Sequence, residues 1–202
     1  MPRIHSDSPE WRAPKRGLFI DRWGTLLELP SAGWVERFED TRFTRGAVDA
    51  LFHASQAGLE VYLLGNVDPV ASGEQSLESW QTFQAALHTA LRSAGVRIAR
   101  DYSCTDNPAG CAPHNADSVY LLPNTGAMYH AAQNDNISLR HSIVVGDSSV
   151  ELVAGWRSGC RTAAVGTGLA LRDRTFQVDP DLNGDTLADV VRDIIARVSV
   201  SA

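Results

Sequence analysis

The sequence predicts an α/β protein: a doubly wound, Rossmann-like parallel sheet with helices on both faces. Three observations predict it. Short, wholly apolar runs end in Asp, Asn or Gly, and segments with helical apolar spacing separate them. The 202 residues, 44% hydrophobic and 21% charged, are ample for one buried core.

The opening, residues 1–16, is polar, carries Pro2, Pro9 and Pro14, and lacks the apolar stretch of a secretory signal. It reads as a mobile tail, leaving residues 17–202 as a single domain. Leu18, Phe19 and Ile20 are too few for a helix and read as a buried strand, ending at Asp21 before the Gly24-Thr25 turn. A loop with Pro30, Gly33 and Trp34 follows, then a helix over 46–56 closed by Gly58. The run 61–64 is a second strand, ending at Gly65-Asn66. Trp80, Phe83, Leu87 and Leu91 share one face of a helix over 76–94, stopped by Gly95, and 96–102 is a third strand.

Residues 104–125 are rich in Pro, Gly, Asn and Asp and form a long loop, interrupted by apolar 119–122. A short helix over 126–135, a strand over 142–145, a helix over 150–158, a strand over 162–165 and an amphipathic helix over 186–198 complete the chain.

Composition excludes several classes of function. No apolar run approaches the ~20 residues of a membrane span. A net charge of −6 argues against nonspecific nucleic-acid binding. The expected location is cytoplasmic. The three cysteines are too few for a disulfide framework, and Cys160, just before an apolar run, reads as a buried small hydrophobe. Among the 18 basic residues only Lys15 is a lysine. Chemistry that needs a lysine inside the domain is therefore in difficulty.

The stretch Asp21-Arg22-Trp23-Gly24-Thr25 resembles the first motif, Asp-x-Asp-Gly-Thr, of the haloacid dehalogenase (HAD) superfamily. There the first Asp is nucleophile and magnesium ligand, and the second is general acid/base. Three further segments, Phe43–Leu51, Leu122–Met128 and Val145–Glu151, are similar in order and spacing to heptose bisphosphate and histidinol phosphatases, over residues 17–168. The resemblance implies a HAD-like fold with a long loop where those enzymes hold a structural zinc.

Matched position by position, the chemistry thins out. Trp23 replaces the general acid, Gly65 the phosphate-binding Ser or Thr, and Leu122 the lysine that neutralises nucleophile and phosphate. Read without the resemblance, Gly65 is a tight turn, and Leu121 and Leu122 are core residues. The zinc pairs are broken: Cys104-Thr105-Asp106 stands at the first and Ser118-Val119-Tyr120 at the second. A rearranged set from Cys104, Asp106, Cys111 and His114 has competent ligands at nonstandard spacing, against a simpler expectation of free thiols and a solvated histidine.

Magnesium is the better-supported metal. Asp21, the backbone carbonyl of Trp23 and Asp147 offer hard oxygens, with Glu151 a further candidate one helical turn on. Ser148 and Glu151 also fit a helix capping box.

The expected outcome is a phosphatase-like pseudoenzyme that binds a partner protein or a phosphorylated ligand. The alternative is a weakly active magnesium-dependent sugar-phosphate phosphatase using Asp21. A dehalogenase would excuse the aromatic Trp23, yet it needs the missing lysine.

Overall fold

The computed structural model describes residues 14–31 and 33–200, with side chains described up to residue 197. Six strands form one sheet: β1 (Arg16–Asp21), β2 (Leu59–Asn66), β3 (Ile98–Cys104), β4 (Ile143–Gly146), β5 (Arg161–Val165) and β6 (Leu182–Gly184). Their order is β3-β2-β1-β4-β5-β6, and every neighbouring pair is parallel. Parallel strands need crossovers, supplied by α1 (Ala47–Gln56), α2 (Asp68–Ala71), α3 (Leu77–Ser93), α4 (Gly126–Asp135) and α5 (Ser149–Arg157). Helix α6 (Leu187–Val200) follows β6.

The central strands are apolar because both faces are covered. Successive side chains of β1 point to opposite faces. Leu18 and Ile20 join one core with Leu51 of α1, Phe83 and Leu87 of α3, and Val191 of α6. Phe19 joins the other with Tyr62, Met128 of α4 and Ala154 of α5. The expected doubly wound sheet is therefore the observed one.

Two expectations change at the edges of the chain. The strand starts at Arg16, and Lys15 already bridges to Ile137 and pairs with Glu60 at 2.7 Å. The tail expected over 1–16 thus loses Arg16 to the sheet and Lys15 to an isolated β-bridge beside it, and residues 1–13 lie outside the described residues. The sole lysine sits at the amino end of β1, the end opposite Asp21. Two short elements, α2 and β6, escaped the pattern reading because four and three residues cannot display a period. Apolar 119–122 forms turns, with Gly126 donating its N–H to the Val119 carbonyl at 2.9 Å. Among the described residues no helix is long and apolar enough to cross a membrane.

Candidate active site

The strand order reverses direction between β1 and β4, and open α/β sheets bind ligands in the crevice at the carboxyl ends there. Asp21 closes β1, Gly65 and Asn66 close β2, and Asp147 follows β4. The register that sets Ile20 beside Val145 and Asp21 beside Leu64 brings these ends level.

The three residues of the first motif go separate ways. Asp21 is buried. Arg22 is wholly buried, its Nη2 donating to Asp101 at 2.7 Å and Ser103 at 2.6 Å, with the guanidinium 4.7 Å over the Trp80 ring. His88 and Gln84 of α3 bond the same Asp101 and Ser103, at 2.9 and 3.1 Å. Burial works to raise the Asp101 carboxyl, but Arg22, His88, Ser103 and Gln84 together hold it well below the usual carboxylate range. Trp23 is half-buried, its indole packed against Phe83 of α3 with ring centroids 5.6 Å apart.

Arg22 is the residue that the sequence reading missed. Its Nε and Nη1 are buried and unbonded, and its charge works to lower the Asp21 carboxyl. No periodicity marks an arginine that turns inward. The one available signal was its place directly after a strand-end Asp, beside a glycine on the next strand.

That glycine is Gly65, at φ +148°, a conformation that side chains avoid. A Cβ there would lie 3.2 Å from Arg22 Nη1 and 3.4 Å from Asp21 Oδ1. The guanidinium takes space that a side chain at 65 would need, so the missing hydroxyl and the buried arginine are one arrangement. Leu122 is buried in the second core, and the Asn66 side-chain amide bonds both its N–H and its carbonyl, at 2.8 and 3.1 Å. Its backbone is thus tied to the end of β2 while its side chain packs inside. Arg140 lies at the amino end of β4, away from Asp21.

Asp147 is held tightly. Its Oδ2 accepts the Leu169 N–H at 2.6 Å and its carbonyl accepts the Leu171 N–H at 2.7 Å. A Cβ on Gly24 or Gly168 would lie 2.0 or 2.1 Å from Oδ2, so only glycine admits this carboxylate. Thr167 Oγ1 donates to the Gly24 carbonyl at 2.5 Å and ties the 166–171 segment to the first motif. Ser148 and Glu151 complete the expected capping box at the start of α5, their side chains in direct hydrogen bond.

Three carboxyls are therefore buried together, and their acidities show it. Burial raises Asp21 well above the usual range, with the charges of Glu151 and Asp147 adding and Arg22 opposing. Asp147 is pushed up to about 7, first by burial and then by Glu151, against the Leu169 N–H. Burial also raises Glu151, with Ser148 opposing.

Like charges with hard oxygens are what a divalent cation offsets, so the donor set of Asp21 and Asp147 suits magnesium. Among the described residues no three His, Cys, Asp or Glu side chains form a metal-holding group, Glu151 being turned to Ser148. The residues that could hold magnesium here are Asp21 and Asp147, with the Trp23 carbonyl as a further hard oxygen. In the long loop, Cys104 is buried and donates to the Asp106 carbonyl at 3.2 Å, and His114 lies 3.5 Å from the Asp106 carboxylate. Cys111 is exposed, and all three cysteines are free.

Beside the crevice lies a cleft of about 450 Å³, walled by Trp23, Trp34 and Trp80 with Asn66, Asp68 and Gln75. Among the described residues that line it there is no Lys, Arg or His.

Comparison with known proteins agrees with this architecture. The HAD-hydrolase-like family profile matches residues 122–193. The D-glycero-D-manno-heptose-1,7-bisphosphate 7-phosphatase of Thermosynechococcus vestitus is 28% identical over 187 residues, covering 88% of this chain and 94% of that protein. The D-glycero-beta-D-manno-heptose-1,7-bisphosphate 7-phosphatase of Haemophilus ducreyi is 28% identical, over 88% of this chain and 97% of its own. The crystal structure of D,D-heptose 1,7-bisphosphate phosphatase from B. bronchiseptica, complexed with magnesium and phosphate, superposes with a TM-score of 0.77 at 22% identity, covering 90% of this chain and 99% of that one. By sequence and by fold the chain is similar to haloacid dehalogenase-like hydrolases, and among them to the heptose bisphosphate phosphatases.

Proposed function

We propose that the chain is a slow, magnesium-dependent phosphomonoester hydrolase acting on a sugar phosphate through Asp21. The observation that carries this reading is the burial of Asp21 and Asp147 together at the switch-point crevice, a pair whose mutual charge a cation offsets. The curated phosphatases that the chain resembles over 88% of its length support it, and they favour it over the inert binding protein that the substitutions suggested. The packing of Trp23 on Phe83 supports it as well, because it gives the indole a place in the cleft wall.

Asp21 and Asp147, with the carbonyl of Trp23, would hold magnesium. When bound, the ion supplies charge neutralisation to the nucleophile and the phosphoryl oxygens. A carboxylate oxygen of Asp21 attacks phosphorus, the bond to the sugar oxygen breaks, and water hydrolyses the resulting acyl phosphate to inorganic phosphate. Arg22 lies beside the nucleophile and favours its charged form.

With Trp23 in place of an acid, the departing sugar oxygen takes its proton from water, a loss of ~10²–10⁴ in rate. The absent donor at Gly65 adds to the slowness. The cleft suits one uncharged sugar body stacked on tryptophan, and its lining offers no cation to a second phosphate. Sugar monophosphates are therefore expected to outperform bisphosphates.

The test is phosphate release from a panel of sugar mono- and bisphosphates with magnesium, comparing the native chain with Asp21→Asn. Slow release lost in the variant and with chelator is expected. Release at background in both proteins would return the chain to the partner-binding reading, which the replacement of catalytic groups at 23, 65 and 122 favours.

A further inference from the structure

The amino ends of the same strands carry a feature that phosphate hydrolysis does not use. Arg16 opens β1, Arg161 opens β5, Arg140 lies three residues before the start of β4, and Arg197 reaches in from the last turns of α6. These four arginines line one hollow of about 120 Å³, floored by Ile143 and Leu182. No Asp or Glu is among the described residues that line it. The guanidinium groups of Arg16, Arg140 and Arg161 make no ion pair or hydrogen bond among the described residues, whereas Arg22, Arg37, Arg100 and Arg192 each pair with a carboxylate.

Four positive charges gathered in one hollow repel one another, and in a chain of net charge −6 their clustering is not a product of overall composition. Guanidinium groups present planar, forked donors that match the oxygens of phosphate-like anions. The hollow is concave and small, which suits a single oxyanion group and not an extended polyanion.

The six residues of β1 separate it from Asp21 by roughly 17 Å, at ~3.3 Å per residue. It is thus a different place from the crevice, on the same two strands, β1 and β4, that carry Asp21 and Asp147.

We propose that this arginine hollow is a second binding site, for a small dianionic oxyanion: inorganic phosphate or the phosphate group of a small ester. The test uses the full chain with chelator present, and follows backbone amide resonances by NMR. The probes are inorganic phosphate, inorganic sulfate and glycerol 3-phosphate, each compared with chloride at equal ionic strength.

The expected result is a saturable shift of the Ser142, Ile143 and Arg161 amides with the oxyanions and not with chloride. Joint Arg140→Ala and Arg161→Ala substitution should weaken this binding about 10- to 100-fold. Both side chains are exposed, so the variant's other resonances should stay in place. Tighter binding of glycerol 3-phosphate than of phosphate assigns the site to an ester, and the reverse assigns it to the free ion. Equal shifts with chloride, shifts that survive the double substitution, or no saturable shift would overturn the proposal.

Discussion

At the carboxyl end of the sheet three carboxyls, Asp21, Asp147 and Glu151, are buried together, and Arg22 is the cation set against Asp21. At the amino end four arginines line an open hollow whose described lining holds no carboxylate. The difference is more than one of sign. Buried charges must be neutralised within the fold, by pairing, by protonation or by a bound ion. Charges at the surface are solvated and need no neutralising group within the fold. The acidic end therefore sets stability and the conditions for chemistry, and the basic end can be altered at little cost to folding.

The largest effect expected from breaking this contrast is at the Arg22–Asp101 pair, whose side chains are nearly inaccessible. Asp101→Asn leaves the guanidinium charge uncompensated and should cost about 3–5 kcal/mol in urea unfolding, where Arg140→Ala costs little. The sign of the pH effect follows from the depressed Asp101 carboxyl. Its stabilisation is complete above the ordinary value of 3.8 and is lost as pH falls below it. The Asp101→Asn variant should lack that acid-limb loss.

Next is Trp23→Asp, which restores an acid two residues after the nucleophile. It should raise kcat about 10²-fold on sugar monophosphates, at a cost in stability from the lost Phe83 contact. Unchanged kcat would mean that leaving-group protonation does not limit the native chain.

Smaller is the effect of pH on the metal-free protein. The Asp147 carboxyl is raised from 3.8 to about 7, so its contribution is complete below 3.8 and lost as pH rises through 7. Melting temperature without metal should fall between pH 5 and pH 8, by an amount equivalent to about 2 kcal/mol. Added magnesium should recover more at pH 8 than at pH 5, because it needs the ionised carboxylates.

The smallest is Gly65→Ser. It should cost about 1–2 kcal/mol through its φ of +148° and the nearby guanidinium, and give little gain in rate.

Much of the fold was legible because the strands are short apolar runs ending in turn residues, and the helices at 47–56, 77–93 and 126–135 carry clear periods or stops. Asp21, Gly65 and Asp147 were legible as strand ends. The role of Arg22 was not. A charged residue within a motif reads as exposed, and only the tertiary arrangement of Asp101, Ser103 and Trp80, some 60 to 80 residues on, gives it a buried place. The arginine hollow was hidden for a similar reason, since its residues lie far apart in sequence and meet only because parallel strands start at one edge. The segment 166–171, which clasps Asp147 through backbone N–H groups, carries no side-chain signature of that contact.

The most direct test of the account is whether Asp21 still accepts a phosphoryl-like group. Beryllofluoride forms a stable mimic of an aspartyl phosphate, and 19F NMR reads its bound state. With magnesium, the native chain should give bound-fluoride resonances that vanish in Asp21→Asn and on chelation. Absence of a bound signal from the folded native chain at saturating magnesium and beryllofluoride would contradict the account.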